Sequence, residues 1–189
     1  LRERHPGAAV VCYVNSSAAV KAESDICCTS SNAVRVVRSL PEKRIIFVPD
    51  RNLGRYVAAQ VPDKEIILHD GHCPVHSRIT ARMASAALAA HPGAALLVHP
   101  ECEPEVVRRA DYVGSTAGIL GYVRESDREE FIIGTEEGIL YPLERDHPGK
   151  RFYRLAPDFV CADMKKITLP DVLASLELER YEVELDRDT

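Results

Sequence analysis

The chain has 189 residues, 24 Lys and Arg against 29 Asp and Glu, and a net charge of −5, without the Lys/Arg-dense face that general nucleic-acid binding requires. Hydrophobic residues make up 46% and charged residues 28%, the composition of an ordinary globular protein of one domain or two small ones. No apolar run approaches the roughly 18 residues of a membrane span, and no basic-then-apolar leader is read at its start.

In chain order, Ala8–Tyr13 reads as a buried parallel strand. Ser16–Glu23 reads as an Ala-rich helix capped by Ser16 or Ser17. A short strand over Asp25–Cys28 precedes Ser30-Ser31-Asn32, which opens the helix Ala33–Leu40. Strand Arg44–Val48, helix Asn52–Gln60 and strand Glu65–Leu68 follow, the last running into the loop His69–Cys73. Arg78–Ala90 is expected as a crossover helix. Then come strand Ala95–Val98, helix Pro104–Ala110, strand Tyr112–Gly114, helix Thr116–Glu125 and strand Glu130–Gly134. Helix Gly138–Glu144, strand Arg151–Leu155, the loop Pro157–Cys161, an amphipathic helix over Leu169–Glu177 and an edge strand over Tyr181–Leu185 complete the chain.

The second half repeats the first. Tyr13 and His99 stand 86 positions apart, as do Asn15 and Glu101, Asp25 and Asp111, Ser30 and Thr116, and Asp50 and Glu136. His5-Pro6-Gly7-Ala8-Ala9 recurs as His91-Pro92-Gly93-Ala94-Ala95 at the same offset, and Cys73 and Cys161 recur at an offset of 88. Chance rarely holds one offset over such a length, so the chain is an internal duplication. Strands alternating with helices make each copy a three-layer α/β/α unit with a parallel sheet. The divisions expected are 1–78, 79–166 and a carboxyl-terminal helix and strand over 167–189. Leu1 aligns with the tail of the crossover helix, so the first copy is expected to start in mid-element, with an amino-terminal part missing.

Chemistry collects where α/β sheets present ligands, at the carboxyl ends of strands. His99-Pro100-Glu101-Cys102 brings an imidazole, a carboxylate and a thiol to the end of an apolar run, and Tyr13-Val14-Asn15 occupies the equivalent place. Ser30 and Thr116 are read at helix starts, where a hydroxyl and free N–H groups suit an anion; ordinary N-capping is the plainer alternative. The six cysteines fall in a large-core pattern that suggests a reduced cytoplasmic setting. There, clustered cysteines lean towards metal or catalysis. No C-x-x-C occurs, so a zinc ribbon or thioredoxin-type site is disfavoured.

Tyr13-Val14-Asn15, Thr29-Ser30-Ser31-Asn32-Ala33, Pro49-Asp50-Arg51-Asn52-Leu53-Gly54, Gly71-His72-Cys73, His99-Pro100-Glu101-Cys102, Ser115-Thr116 and Met164-Lys165-Lys166-Ile167-Thr168 together resemble the quinolinate synthases, in that family's order. The resemblance implies two of three similar α/β/α domains set around a pseudo-threefold axis, with a [4Fe–4S] cluster and the active site at the centre. It implies condensation of iminoaspartate with dihydroxyacetone phosphate to quinolinate, phosphate and water, on the route to NAD. It also implies a functional link to the L-aspartate oxidase that makes iminoaspartate. Carried over by motif, Cys73 and Cys161 are cluster ligands, with a third cysteine expected upstream of Leu1. Glu101 and Tyr13 are acid/base groups, and Tyr13, Asn15, Ser30, His99, Glu101 and Thr116 bind substrate.

Each residue has a plainer reading. Cys73 and Cys161 could be small buried hydrophobes, Glu101 a helix-capping acid, and Tyr13 a packing side chain. Cys28 and Cys102 do not occupy equivalent repeat positions and receive no ligand role; Cys12 and Cys27 read as core. His72 and His76 flank Cys73 but read as outer or surface groups, and Asp50-Arg51-Asn52 as a turn and cap. The competing functional reading is a catalytically incomplete scaffold lacking the first repeat, and a further one is a different cluster-dependent hydro-lyase.

Overall fold

Two four-stranded parallel sheets organise the chain in the computed structural model, which describes residues 1–185. In the first, β1 (Ala9–Tyr13), β2 (Ile26–Cys28), β3 (Arg44–Val48) and β4 (Glu65–Leu68) run in the order β2-β1-β3-β4. In the second, β5 (Ala95–Val98), β6 (Tyr112–Val113), β7 (Glu130–Gly134) and β8 (Arg151–Arg154) run in the order β6-β5-β7-β8. The register repeats too: Ala9 pairs with Ile45 and Ala95 with Phe131. The helices are α1 (Ala18–Ala22), α2 (Ala33–Ser39), α3 (Arg51–Gln60), α4 (Pro74–Ser77), α5 (Ala81–Ala90), α6 (Pro104–Val107), α7 (Thr116–Glu125), α8 (Leu140–Asp146) and α9 (Leu169–Leu178). This is the expected pair of α/β/α units.

The central strands β1, β3, β5 and β7 carry buried apolar runs because both faces of each sheet are packed there. Val11 and Phe47 lie under α2 and α3, against Val37, Leu53 and Val57, while Val10 and Ile46 face the other way. In the second sheet Leu97 and Phe131 meet Ile119, Val123 and Leu143. Leu96 and Ile132 meet Ile79, Ala84 and Val106. The crossover helix α5 therefore packs on the sheet it leads into. Gly54 allows α3 to lie close on its sheet, since a Cβ there would run into Leu68 and Phe47.

The repeated aspartates serve the same local purpose. Asp25 Oδ2 accepts the Val10 N–H at 2.6 Å, and Asp111 Oδ2 accepts the Leu96 N–H at 2.8 Å. Each ties the turn before a short edge strand to the start of the central one.

Several expectations are corrected. The expected crossover helix starts three residues later than Arg78, because Thr80 caps α5 at Ala81, and a separate short helix, α4, not among the expected elements, follows Cys73. Gly138–Glu144 divides into a 3-10 turn, Glu137–Ile139, and α8. Tyr181–Leu185 forms no strand: Val183 is 70% exposed, Tyr181 has φ of 65°, and alternation alone makes no ladder without a neighbouring strand. The remaining positions of the expected 167–189 segment, 186–189, lie outside the described residues. Among the described residues no helix is long and apolar enough to cross a membrane.

Candidate active site at the strand ends

Each unit hangs its cysteine loop from an acid at the end of its third strand. Asp50 caps α3 by accepting the Leu53 N–H through Oδ1, and its Oδ2 accepts the Cys73 N–H, both at 2.7 Å. Glu136 accepts the Gly138 N–H through Oε2 at 2.7 Å and the Cys161 N–H through Oε1 at 3.4 Å. Lys165 stands 3.1 Å from the same Oε1. Burial pushes the Asp50 carboxyl up, opposed by its N–H donors. For Glu136 burial acts in the same sense, but the Gly138 N–H and Lys165 outweigh it and lower the pKa.

The two loops open onto one cavity of about 780 Å3, lined by Tyr13, Asn15, Cys73, Glu101 and Cys161 among others. Both thiols are free and half-buried. Behind Cys73 lies a buried acid–imidazole cluster. His76 Nδ1 stands 2.9 Å from Glu101 Oε2 and 3.2 Å from Cys73 Sγ, and Nε2 is 3.1 Å from Thr135 Oγ1. The His99 ring stacks on His76 with centroids 4.8 Å apart. His99 Nδ1 accepts the Glu101 N–H at 3.3 Å, so its 3.4 Å approach to Oε2 is a contact rather than an ion pair.

Protonation follows from these partners. Burial would lower the pKa of His76, but its bonds to Cys73 and Glu101 prevail and raise it to about 9. Burial, joined by the neighbouring His76, lowers that of His99 to about 4 despite Glu101. Burial alone would raise the Glu101 carboxyl; hydrogen bonding from His76 and the proximity of the two histidines hold it below its usual range. The Tyr13 phenol is pushed up by burial and by Glu101, with Ser30 bonding against the shift. At neutral pH the site thus presents a carboxylate beside an imidazolium, a neutral imidazole and a protonated phenol.

The structure brings Tyr13, Asn15, Glu101, Cys73 and Cys161 to one cavity, with His99 packed behind Glu101. Asn15 Nδ2 donates to the Tyr13 hydroxyl at 3.0 Å. Ser30 lies in the turn before α2 rather than capping the helix, whose N-cap position is Asn32, and is not among the cavity's lining residues. Thr116 is the exposed first residue of α7, and the cap there is Ser115, which accepts the Gly118 N–H at 3.1 Å. Thr116 is not among the cavity's lining residues.

Of the two histidines read as outer or surface groups, His76 is the one the structure sets directly against Cys73 and Glu101. It is 6% exposed and central to the cluster, whereas His72 stands 3.2 Å from Arg51 at the rim. The signal was present in Cys73-Pro74-Val75-His76: a Pro-opened turn after the cysteine returns position i+3 to its side. Donor atoms of Cys73, His76 and Glu101 all lie within 4.8 Å of one another, a group that could hold a metal ion. The wider donor set, two free thiols from separate loops on one cavity, fits an iron–sulfur cluster with further ligation from elsewhere. Cys28 and Cys102 are buried and stand outside the 4.8 Å group.

Duplicated parallel α/β units, with thiols and an acid–imidazole cluster meeting at their strand ends, define an α/β protein whose grouped donor atoms could hold a metal ion beside acid/base groups. The family model for quinolinate synthetase A protein matches residues 1–189. The quinolinate synthase of Caldicellulosiruptor saccharolyticus is 52% identical over 188 residues, covering 100% of this chain and 62% of that protein. That of Methanoregula boonei is 58% identical over 175 residues, covering 93% of this chain and 58% of that protein. The chain belongs to the quinolinate synthetase A family, and it spans about three-fifths of the length of these relatives.

Proposed function

We propose that the protein is a quinolinate synthase, condensing iminoaspartate with dihydroxyacetone phosphate to give quinolinate, phosphate and two waters. The observation that carries this reading is the shared cavity of Cys73, Cys161, Tyr13, Asn15 and Glu101, in a chain whose relatives bear that name. In this reading Cys73 and Cys161 hold a [4Fe–4S] cluster with a third cysteine upstream of Leu1. When bound, such a cluster supplies an iron with an open position, a Lewis acid for a departing hydroxyl.

The chain's own residues supply the proton handling. Glu101, ionised and oriented by His76, takes a proton at its carboxylate as the substrates join and lose water. Tyr13, kept protonated by burial and by Glu101, donates a hydrogen bond to developing negative charge. Asn15 binds carboxylate or phosphate groups of the substrates from the cavity wall; Ser30, His99 and Thr116, which the family motifs also give as substrate-binding residues, do not line that cavity. The dry wall behind Glu101, where His99 is 4% exposed, strengthens these charges against solvent.

The units divide at 1–78 and 79–166; of the remaining segment, 167–189, the helix α9 packs on a third unit. The exposed apolar residues of α9, Leu169 at 85% and Leu176 at 78%, support that division. The protein works in the cytoplasm on small molecules, downstream of the L-aspartate oxidase that makes iminoaspartate. Anaerobic, iron-reconstituted full-length protein is the test. Quinolinate formation dependent on both substrates is expected, and its absence from cluster-loaded protein would overturn the reading.

A further inference from the structure

The first turn of α3 touches both halves of the site. Through Asp50 it holds the Cys73 amide at 2.7 Å, and the Arg51 N–H donates to the Gly71 carbonyl, also at 2.7 Å. Asn52, 2% exposed, points across to the second unit. Its Nδ2 donates to the Glu101 carbonyl at 3.0 Å and to Glu103 Oε1 at 3.3 Å, and its Oδ1 accepts from Arg55 Nη1 at 3.2 Å. Arg51 Nη2 joins the same Glu103 oxygen at 3.2 Å.

We propose that Asn52 is a positioning residue that locks the Glu101 backbone to the helix turn carrying the Cys73 loop, so that carboxylate and thiol keep one separation. The inference rests on the active-site reading given above. Helix formation does not ask for asparagine here, because Asp50 already caps α3. The register partner of Asn52 in the second repeat is Gly138, which has no side chain to donate. The amide is therefore not a requirement of each unit's own fold; it belongs to the junction. A buried amide is costly unless bonded, and this one is satisfied only while the Glu101–Glu103 backbone stays in place. Catalytic geometry is sensitive at the ångström level, and Glu101 follows a Pro at the end of β5, where the chain has left the sheet's ladder.

The experiment compares wild type, Asn52→Ala and Glu101→Gln in the full-length, cluster-reconstituted protein. Asn52→Ala is expected to speed hydrogen exchange at the amides of Glu101, Cys102 and Glu103. It should lower kcat by ~10- to 100-fold, with KM changed less than about threefold and cluster absorbance per protein retained. Unchanged exchange at those amides would overturn the proposal. So would a rate loss that merely parallels loss of cluster. Should Asn52→Ala fail to fold, Asn52→Ser, which keeps a donor too short to span the gap, replaces it in the same measurements, and either of those two results in that variant overturns the proposal equally. If wild type makes no quinolinate, or Glu101→Gln turns over normally, the active-site reading fails, while exchange at the three amides still decides the clamp.

Discussion

Cys73 and Cys161 hang from strand-end carboxylates in the same way, yet the chain beyond them takes different courses. After Cys73 it enters α4, buries His76 against Glu101, and continues into α5, which packs on the second sheet. After Cys161 it passes through an exposed stretch to α9, which has no buried residues. The acid beneath Cys161 is served by a half-exposed Lys165 rather than by a buried network. A repeated motif thus sets how a loop is hung. What buries the segment after Cys73 is the surface its following helices lie on, and that surface comes from the neighbouring unit.

The comparison can be broken most sharply at the thiols. In the full-length protein, Cys73→Ser and Cys161→Ser should each abolish both cluster absorbance and quinolinate formation, despite the unequal burial of the segments that follow them. Glu101→Gln should separate the two readouts, keeping the absorbance while lowering turnover by about 10²- to 10⁴-fold. His76→Ala probes the buried network present on one side only. It leaves Glu101 buried with its closest charged partner gone, and should destabilise the protein by about 3 kcal/mol in urea unfolding.

Smaller effects sharpen the difference between the two hooks. Asp50→Ala removes a cap and the 2.7 Å bond to Cys73, and should cost about 2 kcal/mol; Glu136→Ala, whose bond to Cys161 is 3.4 Å, should cost about 1 kcal/mol. Asp25→Asn should be smallest, about 0.5 kcal/mol, because the group is largely exposed. The Val10 N–H, then Arg2, holds the folded Asp25 carboxyl below its ordinary value of 3.8 against slight burial. Its contribution is therefore present above that value and disappears as pH falls through the lower folded pKa. The gap between wild type and Asp25→Asn should close in acid unfolding curves.

Much of the fold was legible because its signals are local. Apolar runs such as Val10-Val11-Cys12 and Ala95-Leu96-Leu97 need no partner to announce a doubly covered strand. The repeated offset located Cys73, Cys161, Asp50 and Glu136 in equivalent places. Where a reading depended on what lay opposite, it slipped. Tyr181–Leu185 alternates like a strand but has no ladder to join. Ser30 and Thr116 read as anion contacts at helix starts, with N-capping the plainer alternative, and the cap positions fall to Asn32 and Ser115. Asn52 looked like part of a turn and is also a bond between units.

By itself, then, the sequence determined a duplicated parallel α/β chain with a thiol loop at each copy's strand ends, since strand burial and loop placement follow from short-range pattern. Only the tertiary structure decided that His76 lies between Cys73, Glu101 and Thr135, and that Asn52 holds the Glu101 backbone. The reason is physical: the bonds that reach across join residues tens of positions apart, and each exists only where the two units pack against one another.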